Sequence, residues 1–113
     1  MAEKTKQQLV VRALQIIGVV GTGQEPSAEN VQLVGDMVRP MLDRLEALRI
    51  VGVVDENAIE LTVFEPIAVL LAQEAAKDFG SVVEAPVVDK AETDLRTIYS
   101  ARPTYAPLRA DYF

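Results

Sequence analysis

The sequence predicts a mainly α-helical domain: a small bundle of four helices, a short β-hairpin between helices two and three, and an extended C-terminal arm. Apolar residues recur at three- and four-residue steps in four segments bounded by cap-forming residues, glycine or proline. Residues 58–63 alternate instead, which is the period of a half-buried strand. Two prolines disfavour helix within the last thirteen residues. We therefore divide the chain into a helical domain at 1–100 and an extended arm at 101–113.

Helix one is predicted to begin near Thr5, because Thr5 and Gln8 have the spacing of a capping box. Gly18 or Gly21 ends it. Its inward face comprises four apolar residues one turn apart: Val10, Ala13, Leu14 and Ile17.

Helix two follows the N-cap residue Ser27. Its apolar seam alternates steps of three and four residues: Val31, Val34, Val38, Met41, Leu45 and Leu48. The opposite face is charged and includes Asp36, Arg39, Asp43 and Arg44. A solvated face is the simpler interpretation, but its mixed signs equally suit contacts between identical subunits.

The predicted hairpin joins residues 50–54 to residues 58–63 across a turn at 55–57. Ile59, Leu61 and Val63 alternate with polar residues along the second strand. Two strands alone are marginally stable, so we expect Ile59 and Leu61 to contribute to a subunit boundary together with the charged face of helix two.

Helix three is predicted to open at Pro66, a favoured first helical residue, and to close at Gly80. Helix four is predicted to begin at Asp89, where Glu92 completes a capping-box pattern, and to end by Ser100. The expected inward residues of these two helices are Ile67, Leu71, Ala75 and Phe79, then Ala91, Leu95 and Ile98.

The arm is unusual because three of the six aromatic residues of the chain lie in it. Solvated tails are poor in aromatic residues, whereas aromatic side chains on an extended segment commonly anchor it in a pocket of a partner. The residues predicted to bind a partner are Tyr105, Leu108, Arg109, Tyr112 and Phe113.

Composition argues against catalysis. The 113 residues include no cysteine and no histidine, which excludes thiolate chemistry and removes the commonest general base and metal ligand. The glycines at 18, 21 and 23 follow a helix and lack the lysine of a phosphate-binding loop. We expect no enzymatic activity, no cofactor and no metal. No apolar run is long enough to cross a bilayer and no signal peptide is evident, so we expect synthesis in the cytoplasm and no membrane partner.

The net charge is −6, from 17 acidic and 11 dispersed basic residues. A protein that grips phosphates requires a basic patch, and the sequence contains none. An acidic chain of this kind can still lie beside DNA without binding it tightly.

Three segments resemble the head-to-tail adaptor (connector) proteins of tailed bacteriophages and gene-transfer agents. They are residues 12–20 (Arg-Ala-Leu-Gln-Ile-Ile-Gly-Val-Val), residues 23–29 (Gly-Gln-Glu-Pro-Ser-Ala-Glu) and residues 66–80, with a long amphipathic helix ending at Leu48 between them. The likeness spans roughly residues 5 to 100. The chain departs from many relatives in having Leu48-Arg49-Ile50 where they carry a tryptophan near the end of helix two.

The resemblance implies a structural virion protein at the head-tail neck. Such proteins form a homo-oligomeric ring, typically dodecameric, beneath the portal of the DNA-filled head. The ring extends the DNA channel and presents a surface to the stopper or tail-completion protein, and the C-terminal segment commonly reaches the portal. Two alternatives from other classes remain: a small helical DNA-binding or regulatory module, and a carboxylate-based enzyme.

Overall fold

A computed structural model of the protein describes residues 3–21, 23–52 and 55–101, with only the backbone of Ala101. Four α-helices dominate it: α1 (Lys6–Ile16), α2 (Ala28–Ala47), α3 (Leu61–Ala76) and α4 (Ala85–Ala101). A 3-10 turn, Lys77–Phe79, extends α3, and two short strands, β1 (Glu3–Lys4) and β2 (Ile59–Glu60), complete the fold. The predicted fold class, mainly helical with a small antiparallel β element, is confirmed.

The first two helices start at the predicted caps. Gln8 donates its backbone N–H to the Thr5 hydroxyl over 3.2 Å, and the Thr5 N–H donates to the Gln8 side chain over 2.8 Å, which closes the capping box. Ser27 accepts from the N–H of Asn30 over 3.2 Å and so caps α2. These caps satisfy backbone donors that have no partner inside a helix.

The predicted seam of α2 is buried through most of its length. Val34, Val38, Met41 and Leu45 are all at most 5% exposed. Leu48 is the C-cap residue and is 57% exposed, so the seam ends one turn earlier than predicted.

The β element pairs differently from the predicted hairpin. β2 lies between α2 and α3, but its antiparallel partner is β1, with Glu3 opposite Glu60 and Lys4 opposite Ile59. Residues 50–52 form no strand; Ile50 and Val51 instead bury their side chains in the core, at 1% and 2% exposure. Burial removes the apolar surface of these two side chains from water, and this does not require strand pairing.

Two helices begin earlier than predicted. α3 starts at Leu61 rather than Pro66, so Pro66 lies inside the helix, where it cannot donate to the carbonyl of Thr62. α4 starts at Ala85 rather than Asp89, because Pro86 occupies the first turn, where a missing N–H costs no helical hydrogen bond.

α3 is the central helix of the bundle and packs against α1, α2 and α4. Its apolar residues are buried on several sides, which explains why it is far more hydrophobic than the other helices. The predicted inward residues Ile67, Leu71 and Ala75 are fully buried, and Phe79 packs partly buried at the edge. α4 lies outermost, with its principal contacts on α3.

Candidate assembly surface

The outward face of α2 carries the predicted ring-interface charges. At 100° per residue, the side of the helix opposite the buried seam presents alternating acidic and apolar side chains. We call these residues the outer face of α2; all are exposed, and they are Glu29, Leu33, Asp36, Pro40, Asp43 and Ala47. Leu33 is 41% exposed, an apolar contact point among three carboxylates.

Arginines flank this outer face on both sides. Arg39 forms an ion pair with Asp43 one turn further along α2, with Nη2 3.0 Å from Oδ1. Gln32 donates from its amide nitrogen to Asp36 over 3.1 Å. These bonds within one helix fix the direction of both carboxylates at the surface.

Arg44 has a role that the sequence did not indicate. Its guanidinium binds the carboxylate of Glu74 on α3, so it joins two helices of the chain. Both side chains remain about half exposed, at 51% and 39%. Arg44 therefore fastens the edge of the outer face of α2 to the central helix.

The two predicted hairpin residues separate in the structure. Ile59 is 0% exposed and belongs to the core of the chain, so the prediction that Ile59 contributes to an interface is wrong. Leu61 is 48% exposed at the start of α3. The alternating pattern placed both on one side of a strand, but the chain turns helical between them, and the two side chains diverge.

The five arm residues that we predict to bind a partner lie outside the described residues: Tyr105, Leu108, Arg109, Tyr112 and Phe113. They remain a prediction from the sequence. The described chain leads directly to them, because α4 runs to Ala101.

A groove between α3 and α4 was not anticipated. It has a volume of about 480 Å³. Pro66 and Val69 line it from α3, and Val87, Ala91 and Ile98 line it from α4. No local sequence pattern marks such a feature, because its two walls lie about twenty residues apart in the chain.

Within residues 3–21, 23–52 and 55–101, no polar or charged side chain is buried, and no cluster of three acidic residues is placed to hold a metal. Among these same residues no helix is both long and apolar enough to span a membrane.

Comparison with protein-family models, with curated proteins and with solved structures gives no match.

Proposed function

We propose that this protein is a structural component of a virion, a subunit of the ring that joins a DNA-filled head to its tail. In this role it sits beneath the portal, extends the DNA channel and receives a stopper or tail-completion protein. It is made in the cytoplasm of the host bacterium and acts at the head-tail neck of the particle.

The observation that carries the proposal is the outer face of α2. Closed rings require two different surfaces on each subunit that fit one another. This face combines carboxylates at Asp36 and Asp43 with the exposed side chain of Leu33. No other described element covers it, since α2 packs against α1 and α3 by its opposite side.

The backbone of this face has one further acceptor. Pro40 has no N–H, so the regular helical bond to the carbonyl of Asp36 cannot form. A carbonyl in this position favours a donor from outside the helix, and a neighbouring subunit can supply one.

The sequence motifs favour a head-to-tail adaptor ring over other kinds of assembly. The segments that resemble adaptor proteins fall on α1, on the loop before α2 and on α3, which together make the scaffold of the bundle. The net charge of −6 suits a channel wall past which DNA slides. The arm, with Tyr105, Leu108, Arg109, Tyr112 and Phe113, is the segment that we expect to bind the portal.

Reconstitution tests this function directly. Purified protein is added to DNA-filled heads of the cognate phage that lack it, and the fraction of heads that accept tails is counted. We expect tail attachment to be restored by this protein and not by a variant without residues 101–113. Heads that accept tails equally well without added protein, or that never accept them with it, contradict the proposal.

The alternative of a DNA-binding module predicts a different result. Such a module binds duplex DNA with an affinity that falls steeply with salt. We expect no binding to a random-sequence duplex at physiological salt, measured by fluorescence anisotropy, and salt-dependent binding in the micromolar range would favour the alternative.

A further inference from the structure

The groove between α3 and α4 is a mainly apolar depression beside the outermost helix. Its walls are built from Val69, Val87, Ala91 and Ile98, and Val87 is 44% exposed. An exposed aliphatic groove beside a peripheral helix is typical of a surface that another segment covers. We propose that its occupant is residues 102–113 of the chain's own C-terminal arm, folded back against the subunit from which they arise.

The arm is long enough to reach along the whole groove. The groove follows α4 from Val87 to Ile98, a length of roughly 16 Å at 1.5 Å per residue. Its Ile98 end lies three residues before Ala101, where the arm begins. Residues 102–113 span up to about 40 Å when extended. Pro103 favours a break in the helix at this point, so the arm can reverse and lie along the whole groove.

The side chains of the arm are chemically complementary to the walls of the groove. The apolar wall of the groove matches the rings and aliphatic side chains of Tyr105, Leu108 and Tyr112. Glu65 and Asp94 line the same groove. Their carboxylates pair with Arg12 and Lys90 but remain 53% and 43% exposed, so they can also accept from the arginines that the arm brings at positions 102 and 109.

The backbone of α3 beside the groove also suits an extended segment. Pro66 and Thr62 both line it, and Pro66 cannot make the regular helical bond to the carbonyl of Thr62. An extended segment presents backbone N–H groups and tyrosine hydroxyls that can donate to such an acceptor. The groove therefore provides both apolar contacts and a hydrogen-bond acceptor for an extended peptide that contains aromatic residues.

Covalent attachment favours the chain's own arm over that of another copy. A segment tethered at the mouth of its groove has an effective local concentration on the order of millimolar. A weak contact is then enough to hold it in the isolated subunit, and a partner with a better pocket can still remove it. This inference does not depend on the virion role, because it concerns the free subunit alone.

Paramagnetic relaxation in solution NMR tests the inference on the full chain. The protein has no cysteine, so Ala110→Cys gives a unique attachment site for a nitroxide label. With the label in place, we expect the methyl signals of Val69, Val87 and Ile98 to lose most of their intensity. The methyl signals of Val10 and Val34, in the core between α1 and α2, serve as the internal reference.

A mixed sample separates the chain's own arm from a neighbour's. Isotope-labelled protein without nitroxide is combined with unlabelled protein that carries it, so that only contacts between molecules broaden the signals. We expect no broadening in this sample. Broadening here as strong as in the single species would assign the groove to another copy and overturn the inference, as would intact groove signals in both samples.

Two exposed valines provide matched variants. Val87→Asp places a charge in the groove, whereas Val82→Asp places the same charge at an 86% exposed position outside it. We expect the first variant to abolish the broadening and the second to preserve it. The dispersed methyl signals of each variant show directly that it is folded, and broadening that survives Val87→Asp contradicts the inference.

Discussion

Arg12 on α1 and Glu65 on α3 bind each other through two parallel hydrogen bonds. Nε of Arg12 lies 3.0 Å from Oε1 of Glu65, and Nη2 lies 2.8 Å from Oε2. This bidentate geometry joins the first helix to the central helix 53 residues away in the chain. The hydrogen bonds that the Arg12 guanidinium donates to Glu65 raise the pKa of Arg12 above its ordinary value, and desolvation partly offsets this rise.

Glu65→Gln tests how much this bond stabilises the fold. The two side chains are 42% and 53% exposed, so solvent screens their attraction. We expect the free energy of unfolding in urea to fall by less than about 1 kcal/mol and the difference to shrink at high salt. A matched control is Asp94→Asn, which breaks the pair between Lys90 and Asp94 within α4 and should cost about 0.3–0.5 kcal/mol.

The direction of the pKa shift fixes the pH dependence of the Arg12 contribution. Because the pKa of Arg12 is raised in the folded state, its contribution is complete below the ordinary arginine pKa and is lost only as the pH rises through the folded value. The difference between wild type and Arg12→Gln should therefore stay constant from about pH 6 to about pH 9. A difference that vanishes within this window contradicts the assignment.

Ile59 and Leu61 are predicted to respond differently to truncation. Ile59→Ala removes a side chain that is 0% exposed, and we expect it to lower the free energy of unfolding by about 2–5 kcal/mol. Leu61→Ala alters a residue that is 48% exposed and should cost less than about 1 kcal/mol. Equal losses in chemical denaturation would contradict the described start of α3.

Two glycines should respond to alanine in opposite directions. Gly80 ends the 3-10 turn with φ at 67°, a left-handed conformation that costs alanine about 1 kcal/mol. Gly35 lies buried inside α2, where an added Cβ would sit 3.6 Å from Cε of Lys6, an ordinary contact. We expect Gly80→Ala to lower the melting temperature and Gly35→Ala to raise it. The expected gain in the free energy of unfolding for Gly35→Ala is up to about 1 kcal/mol.

Charge reversal on the outer face of α2 tests the proposed ring contact. We expect Asp36→Arg with Asp43→Arg to leave the fold intact and to weaken ring formation at least on the order of tenfold, since the reversed charges no longer complement the surface that this face contacts. Glu25→Arg with Asp78→Arg is the control, because it makes the same change in net charge at two other exposed positions. Analytical ultracentrifugation in the presence of portal compares them, and equal assembly of both variants would rule out the face.

Removal of residues 101–113 tests the arm. We expect the truncated chain to fold, because the core residues of α4 that pack on α3, Ala91 and Leu95, are retained. We also expect it to lose attachment to the portal, measured by co-sedimentation. A truncated protein that still assembles onto DNA-filled heads would show that the arm has no docking role.

Features set by neighbouring residues were predictable from the sequence. The caps at Thr5 and Ser27 and the apolar period of α2 depend on residues within one or two turns, and the structure confirms them. The end of the third helical segment at Gly80 follows from the left-handed backbone that glycine favours.

Features set by distant residues were not predictable. The partner of β2 is β1, more than fifty residues away, and no local pattern specifies that pairing. Pro66 suggested a helix start because proline favours the first turn, yet packing of Val63 and Phe64 in the core extends α3 toward its N-terminus. The Arg44–Glu74 pair and the groove between α3 and α4 likewise arise only when the helices meet.

Electron microscopy of the purified protein with its cognate portal tests the central claim most directly. The account predicts closed rings of this protein seated on the narrow end of the portal, with the channel continuous through both. Portal particles that remain bare at saturating concentrations of the full-length chain would contradict it.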